Sequence, residues 1–175
     1  MNFNNHKVNL TRTNLQFLFS MLLISFVGGS TLSVIIRNAN FEDCESLCEL
    51  NLIGLGYDYP IEKTKMQLIK ILEKPHVKLL VAEIDDTIAG YIHAVDYDCV
   101  YSDSLKNILA IVVDEHFRGK NIGRKLLTAV EEWAKEDGSC GVRLVSGMDR
   151  VGAHDFYKAC GYSLRKEQKN FIKIF

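Results

Sequence analysis

The spacing of hydrophobic and polar residues changes several times between Val34 and Phe175, and each change marks an element. Val34-Ile35-Ile36-Arg37 reads as a short first strand. Asn40, with Asp43 three residues on, supplies a cap for a helix running to about Leu52. Gly54 and Gly56 break that helix, and Leu55 to Pro60 reads as a loop. From Glu62 to Leu72 the apolar residues Met66, Ile69 and Leu72 fall at three-residue spacing, which predicts a second helix. His76 to Ile84 and Ile88 to Val95 alternate as two half-buried strands of a hairpin around Asp85-Asp86-Thr87, without the usual turn glycine. Residues 96–106 are polar and read as irregular, ahead of a buried strand from Ile108 to Val113. A helix over 123–136 places Leu126, Leu127, Val130 and Ala134 on one face behind Ile122, and Gly138 ends it. Val142 to Val145 forms a further strand.

The sharpest chemical signal lies where the buried strand meets that helix. Arg118-Gly119-Lys120-Asn121-Ile122-Gly123 turns a strand into a helix N-terminus. Backbone N–H groups without intrahelical partners converge there beside the positive end of the helix dipole. Gly119 and Gly123 allow close backbone approach and positive φ, while Arg118 and Lys120 add full charges. Such a loop suits a diphosphate. A Walker loop would need Gly-Lys-Ser/Thr, and a dinucleotide fingerprint G-x-G-x-x-G after the first strand; neither occurs.

The loop resembles the Arg/Gln-x-x-Gly-x-Gly/Ala signature of the GNAT N-acetyltransferase superfamily, matching at Arg118 and Gly123. Asn121 stands at the first signature glycine, and asparagine tolerates a left-handed backbone better than most residues. A second segment, Ala153 to Tyr162 with Phe156-Tyr157 and Gly161-Tyr162, resembles the superfamily's late helix. The likeness spans roughly residues 34 to 175. It implies an α/β fold with a largely antiparallel central sheet, helices on both faces, a splayed cleft between strands four and five, and a closing hairpin through Phe175.

The resemblance also implies acetyl-CoA as cosubstrate, its pantetheine arm pairing with Ile111, Val112 and Val113. The pyrophosphate would be held by Arg118, Gly119, Lys120, Asn121, Ile122, Gly123 and Arg124, and Arg150 and Ser146 are secondary cofactor candidates where the family often places an asparagine that holds pantetheine. Tyr157 matches the tyrosine that protonates the departing thiolate, and a phenol remains protonated at neutral pH. Many relatives carry a glutamate on strand four; here Leu109 and Ala110 cannot accept a proton. The base candidates are Asp96, Asp98, His93 and Glu83, with Tyr57 and Asp58 in the glycine-flanked loop also on the acceptor side. The expected reaction is direct attack by a primary amine of a small molecule or protein on the thioester. The alternative is a non-catalytic acyl-CoA-binding module. Acids at 58, 96, 98 and 103 would suit a cationic acceptor such as an aminoglycoside or polyamine. Homodimers are an expectation by analogy.

Composition narrows the remaining classes. A chain of 175 residues with 47% hydrophobic content builds one core without staples. With net charge −1 and no long basic run, nucleic-acid and anionic-membrane binding are disfavoured. Five cysteines, an odd number without a CxxC, read as reduced thiols in a cytosolic protein, and no metal site is expected. Residues 1–33 form an apolar extension lacking charge from Thr13 onward. It has the character of a signal peptide, an anchor or translation from a misassigned start, and the acetyltransferase domain is assigned to 34–175.

Overall fold

The computed structural model describes residues 33–175, which form one compact unit. Nearly all of the N-terminal extension therefore lies outside the described residues. Strand β1 (Ile35–Asn38) leads into a 3-10 turn at Phe41–Asp43. There the Asn40 side chain accepts from the Asp43 N–H at 3.2 Å and the Asp43 carboxylate accepts from the Asn40 N–H at 2.8 Å, a reciprocal capping box. Helix α1 (Cys44–Leu50) widens into a π turn at Asn51–Leu55, which Gly56 ends at φ 76°. The helix expected to Leu52 is thus three pieces.

Helix α2 (Ile61–Leu72) follows Pro60 and buries Leu68, with Ile61 and Ile71 packed beside it. Met66, Ile69 and Leu72 face solvent instead. The core-facing stripe is Ile61, Leu68 and Ile71, closer to the true helical period than a strict three-residue spacing.

Strands β2 (Val77–Ile84), β3 (Thr87–Cys99), β4 (Ser102–Val113) and β5 (Val142–Leu144) complete a five-stranded sheet ordered β1-β2-β3-β4-β5. All neighbours are antiparallel except β4 and β5. The β2–β3 turn is made by Asp85 and Asp86, both left-handed at φ 48° and 61°, so two aspartates do what Asn-Gly does elsewhere. Helix α3 (Ile122–Glu136) packs Leu126, Leu127 and Val130 on Ile92 and Ala94, joined by Phe156 and Tyr157 of helix α4 (Val151–Ala159). On the opposite face α1 and α2 pack Leu47 and Leu68 on Val81, Tyr91 and Val112.

Two segments differ from expectation. Residues 96–106 are mostly ladder, because Asp96 and Lys106 are cross-strand partners. The Lys106 ammonium, 1% exposed, donates to Asp96 at 2.6 Å and to Asp137, and lies 3.9 Å from the Trp133 ring centroid. Polarity here marks a buried lysine paired with two partly exposed carboxylates rather than a loop. The closing hairpin implied by the resemblance is absent: residues 163–175 carry no strand, and Leu164, Phe171 and Phe175 are exposed. The polar run Arg165 to Asn170 offers no apolar face to lay on the sheet.

Candidate active site

The site begins with an irregularity in β4. His93 pairs with Ala110 and Ala94 with Ile108, so Leu109 has no partner on β3. The extra residue inverts the alternation, putting Ile108 in the core beneath α3 and Ala110 in the core beneath α1. Pairing with β5 stops at the same point, its last rung being Ile108 with Leu144. From Ala110 to Val113, β4 therefore stays joined to β3 but not to β5. Its main-chain N–H and C=O groups on that side have no β5 partner and offer an edge to an extended ligand.

At the end of this edge, Asp114 accepts from the His116 N–H at 2.8 Å and starts a 3-10 turn at Glu115–Phe117. Gly119 and Asn121 are left-handed, φ 77° and 60°, as the asparagine substitution requires. The first α3 turn has no side-chain cap, and its first intrahelical bond is Lys125 N–H to Asn121 O. The N–H groups of Ile122, Gly123 and Arg124 are left without helical acceptors. Gly123 lies in the helix and not at positive φ, and a β-carbon there would lie 3.0 Å from Phe156 Cζ. It lets α4 approach α3. Arg124 reinforces that contact by donating to the Ala159 carbonyl at 2.8 Å, while Arg118 Nε lies 3.4 Å from the Val113 carbonyl and Lys120 lies over the Phe117 ring.

Helix α4 sets the phenol. Tyr157 is half-buried, its ring centroid 5.4 Å from Phe156 and 6.2 Å from Tyr162. Burial pushes its hydroxyl above the usual tyrosine value, against the opposing charge of Arg150. Arg150 precedes α4 and donates to the Leu55 carbonyl at 3.1 Å, linking the β5–α4 connection to the π turn. That turn rests on β4, since a β-carbon on Gly54 would be 2.2 Å from Val112 Cγ2. The buried Tyr91 hydroxyl donates to the Asn51 side chain, and burial, then neighbouring Tyr57, pushes that phenol up to about 12. Sequence reasoning passed over Asn51, Gly54 and Tyr91. Gly54 gave a signal, but as a helix breaker.

The base candidates separate widely. Glu83 is paired with Arg37 at 2.6 Å, two strands from β4. Asp96 is held by Lys106, and by His76 at 2.9 Å. Asp98 accepts from Ser104 at 2.6 Å near the tip of the β3–β4 hairpin. His93 stands across from Ala110, beside the bulge. Burial, and next the charge of Lys74, lower its pKa, so its imidazole is neutral at pH 7. Tyr57 and Asp58 are exposed beyond the π turn. The five described cysteines are free, and among the described residues no helix is long and apolar enough to cross a membrane.

A β4 edge without a β5 partner beyond Ile108, followed by an uncapped helix N-terminus, is an arrangement able to bind an extended, anion-bearing ligand. The model of the acetyltransferase (GNAT) family matches residues 44–162, and the chain belongs to that family. An uncharacterized N-acetyltransferase of Methanocaldococcus jannaschii is 27% identical over 79% of this chain and 65% of its own length, so the chain spans about two thirds of that relative. The structure of AAC(6')-Iy with the bisubstrate analog CoA-S-monomethyl-acetylneamine superposes with a TM-score of 0.73 at 20% identity, covering 82% of this chain and 99% of that one. A GNAT family acetyltransferase of Staphylococcus aureus gives 0.65 at 27% identity, covering 82% and 99%.

Proposed function

We propose that the protein transfers an acetyl group from acetyl-CoA to the primary amine of a small molecule or peptide, by direct attack. The observation that carries this reading is the β4 edge, freed at Leu109 and leading to the uncapped start of α3. Ile111, Val112 and Val113 offer a strand edge to the pantetheine amides, and an N–H there polarises the thioester carbonyl. The residues 118–124 receive the pyrophosphate, chiefly through main-chain N–H groups, because Arg124 is already bonded to Ala159.

Tyr157 acts as general acid toward the departing thiolate; burial keeps its proton in place across the neutral range. Among the base candidates His93 is favoured: its imidazole is neutral, whereas Glu83 and Asp96 are ion-paired and Asp98 lies near the hairpin tip. It stands next to the bulge and takes the ammonium proton, directly or through water. Leu109 and Ala110, which offer no carboxylate, also motivate the second reading of a non-catalytic acyl-CoA-binding module.

One experiment separates the two. Thiol release from acetyl-CoA is followed with and without amines, alongside protection by CoA against heat. The enzyme shows amine-dependent thiol; a binding module shows protection alone. Absence of both would remove the cleft from the account.

A further inference from the structure

We infer that Arg150 is a positioning residue for the transfer: its guanidinium ties the π turn that rests on β4 to the start of the helix that carries Tyr157. This rests on the acetyltransferase reading above. The π turn at Asn51–Leu55 packs through Gly54 on Val112, beyond the last β4–β5 rung at Ile108, whereas α4 follows β5. Arg150 Nη2 donates to the Leu55 carbonyl at 3.1 Å. Among the described residues it is the one hydrogen bond between residues 44–60 and residues 145–162.

Both ends of this tie are held. The Arg150 N–H donates to the Gly147 carbonyl at 3.1 Å, and the same carbonyl accepts from His154 Nε2 at 2.9 Å. The Arg150 carbonyl accepts from the N–H groups of Ala153 and His154 at 3.0 and 3.1 Å, in the first turn of α4. On the other side Leu55 ends the π turn, where the last carbonyls have no following helical N–H and a cation is favoured. The Tyr91 hydroxyl holds that turn at Asn51, and Val112 blocks any closer approach of Gly54. The length of the Arg150 side chain therefore sets how α4 stands against the turn. Tyr157 follows about two helical turns later, on the same side of α4, and the Arg150 charge opposes the effect of burial on its hydroxyl. A guanidinium so placed serves the reaction by geometry, since a misplacement near 1 Å at a reacting group costs up to about 100-fold in rate.

The test compares Arg150→Met and Arg150→Lys with the parent in thiol release from acetyl-CoA, with kanamycin, spermidine or phenethylamine as the amine. Arg150→Met is expected to lower kcat about 10-fold with the KM for acetyl-CoA within about 2-fold, and Arg150→Lys, which keeps a charged donor, to recover part of the loss. In a Tyr157→Phe background Arg150→Met should cost less than about 3-fold, because the phenol it positions is gone. Hydrogen exchange reads the tie without turnover. The Gly56 and Tyr57 N–H groups, bonded to the Leu52 and Asn51 carbonyls at 3.1 and 3.0 Å, should exchange about 10-fold faster in Arg150→Met. Parental exchange rates overturn the tie. Faster exchange with parental kcat, a raised KM for acetyl-CoA with kcat unchanged, or the full loss on top of Tyr157→Phe overturns the positioning role and leaves the acetyltransferase standing. A parent protein that binds CoA and releases no amine-dependent thiol overturns the acetyltransferase reading and the positioning role with it, while the exchange rates still decide the tie.

Discussion

Replacing Gly54 by alanine should damage acceptor turnover while sparing coenzyme binding. The new β-carbon would stand 2.2 Å from Val112 Cγ2 and 3.6 Å from Val112 Cβ. Non-bonded carbons rest at roughly 3.5–4.0 Å, so one partner must shift by about 1.5 Å. Val112 is buried, β-branched and paired with Tyr91, whereas the π turn is the end of a short helix, so the turn yields. It carries the Leu55 carbonyl that holds Arg150 and the Asn51 side chain that meets Tyr91. Overpacking of this kind costs roughly 1–3 kcal/mol. A displacement near 1 Å at a reacting site costs up to about 100-fold in rate. The expected result is a kcat/KM for the amine reduced about 10- to 100-fold, with CoA affinity within about 2-fold, since the residues 118–124 are untouched. Adding Val112→Ala removes Cγ2 and should restore part of the loss, giving a coupling of about 1 kcal/mol or more in a double-mutant cycle. Steady-state kinetics, CoA titration and thermal unfolding of the four proteins decide it. Parental kinetics and melting in Gly54→Ala would mean that the turn does not rest on β4 in solution.

The other predictions concern the acid, the buried lysine and pH. Tyr157→Phe should lower kcat by about 100-fold or more while leaving CoA affinity unchanged, and equal rates would remove the phenol from proton transfer. Lys106→Met should lower the urea-unfolding midpoint, because Asp96 and Asp137 lose the ammonium they pair with, while activity per folded molecule stays unchanged. Burial raises the Asp43 pKa, but the Arg37 guanidinium and the Asn40 N–H outweigh it and hold the carboxyl below its ordinary value. Its stabilisation is therefore complete above the unfolded value of about 4 and is lost as pH falls through the lower folded value. Asp43→Asn should be less stable at pH 7 and converge with the parent toward pH 2; a constant gap between the two curves would refute the linkage.

How much was legible in the sequence depended on whether the information was local. The turn from β4 into α3 was, because glycine and asparagine between an apolar strand and an amphipathic helix allow few conformations, and Asn121 is left-handed as expected. The α3 stripe was equally plain: Leu126, Leu127, Val130 and Ala134 are all buried. Residues 96–106 misled because a polar strand segment satisfied by cross-strand charges has no hydrophobic period to read. Met66, Ile69 and Leu72 fell into a tidy spacing, yet Leu68 is the buried residue of α2, and only the sheet it meets decides between the two faces. The base candidates scattered for a related reason. A sequence places Glu83, His93, Asp96 and Asp98 near strand ends, but register decides which have partners already.

The bulge at Leu109 was invisible, because Leu-Ala-Ile-Val-Val reads as an uninterrupted buried strand. Its consequences reach furthest. One unpaired residue switches the faces of Ile108 and Ala110, which is compatible with two cores only because α3 covers one face and α1 the other. The π turn packs on Val112 of β4, the bulge lies in β4 itself, and the left-handed Asn121 starts the helix that follows β4. Each is less favourable than the regular alternative and persists because well-packed surroundings hold it. A merely structural sheet would gain by pairing β4 with β5 along its whole length, so the edge left open beyond Ile108, followed by an uncapped helix start, is stronger evidence for where the chemistry occurs than any single side chain nearby.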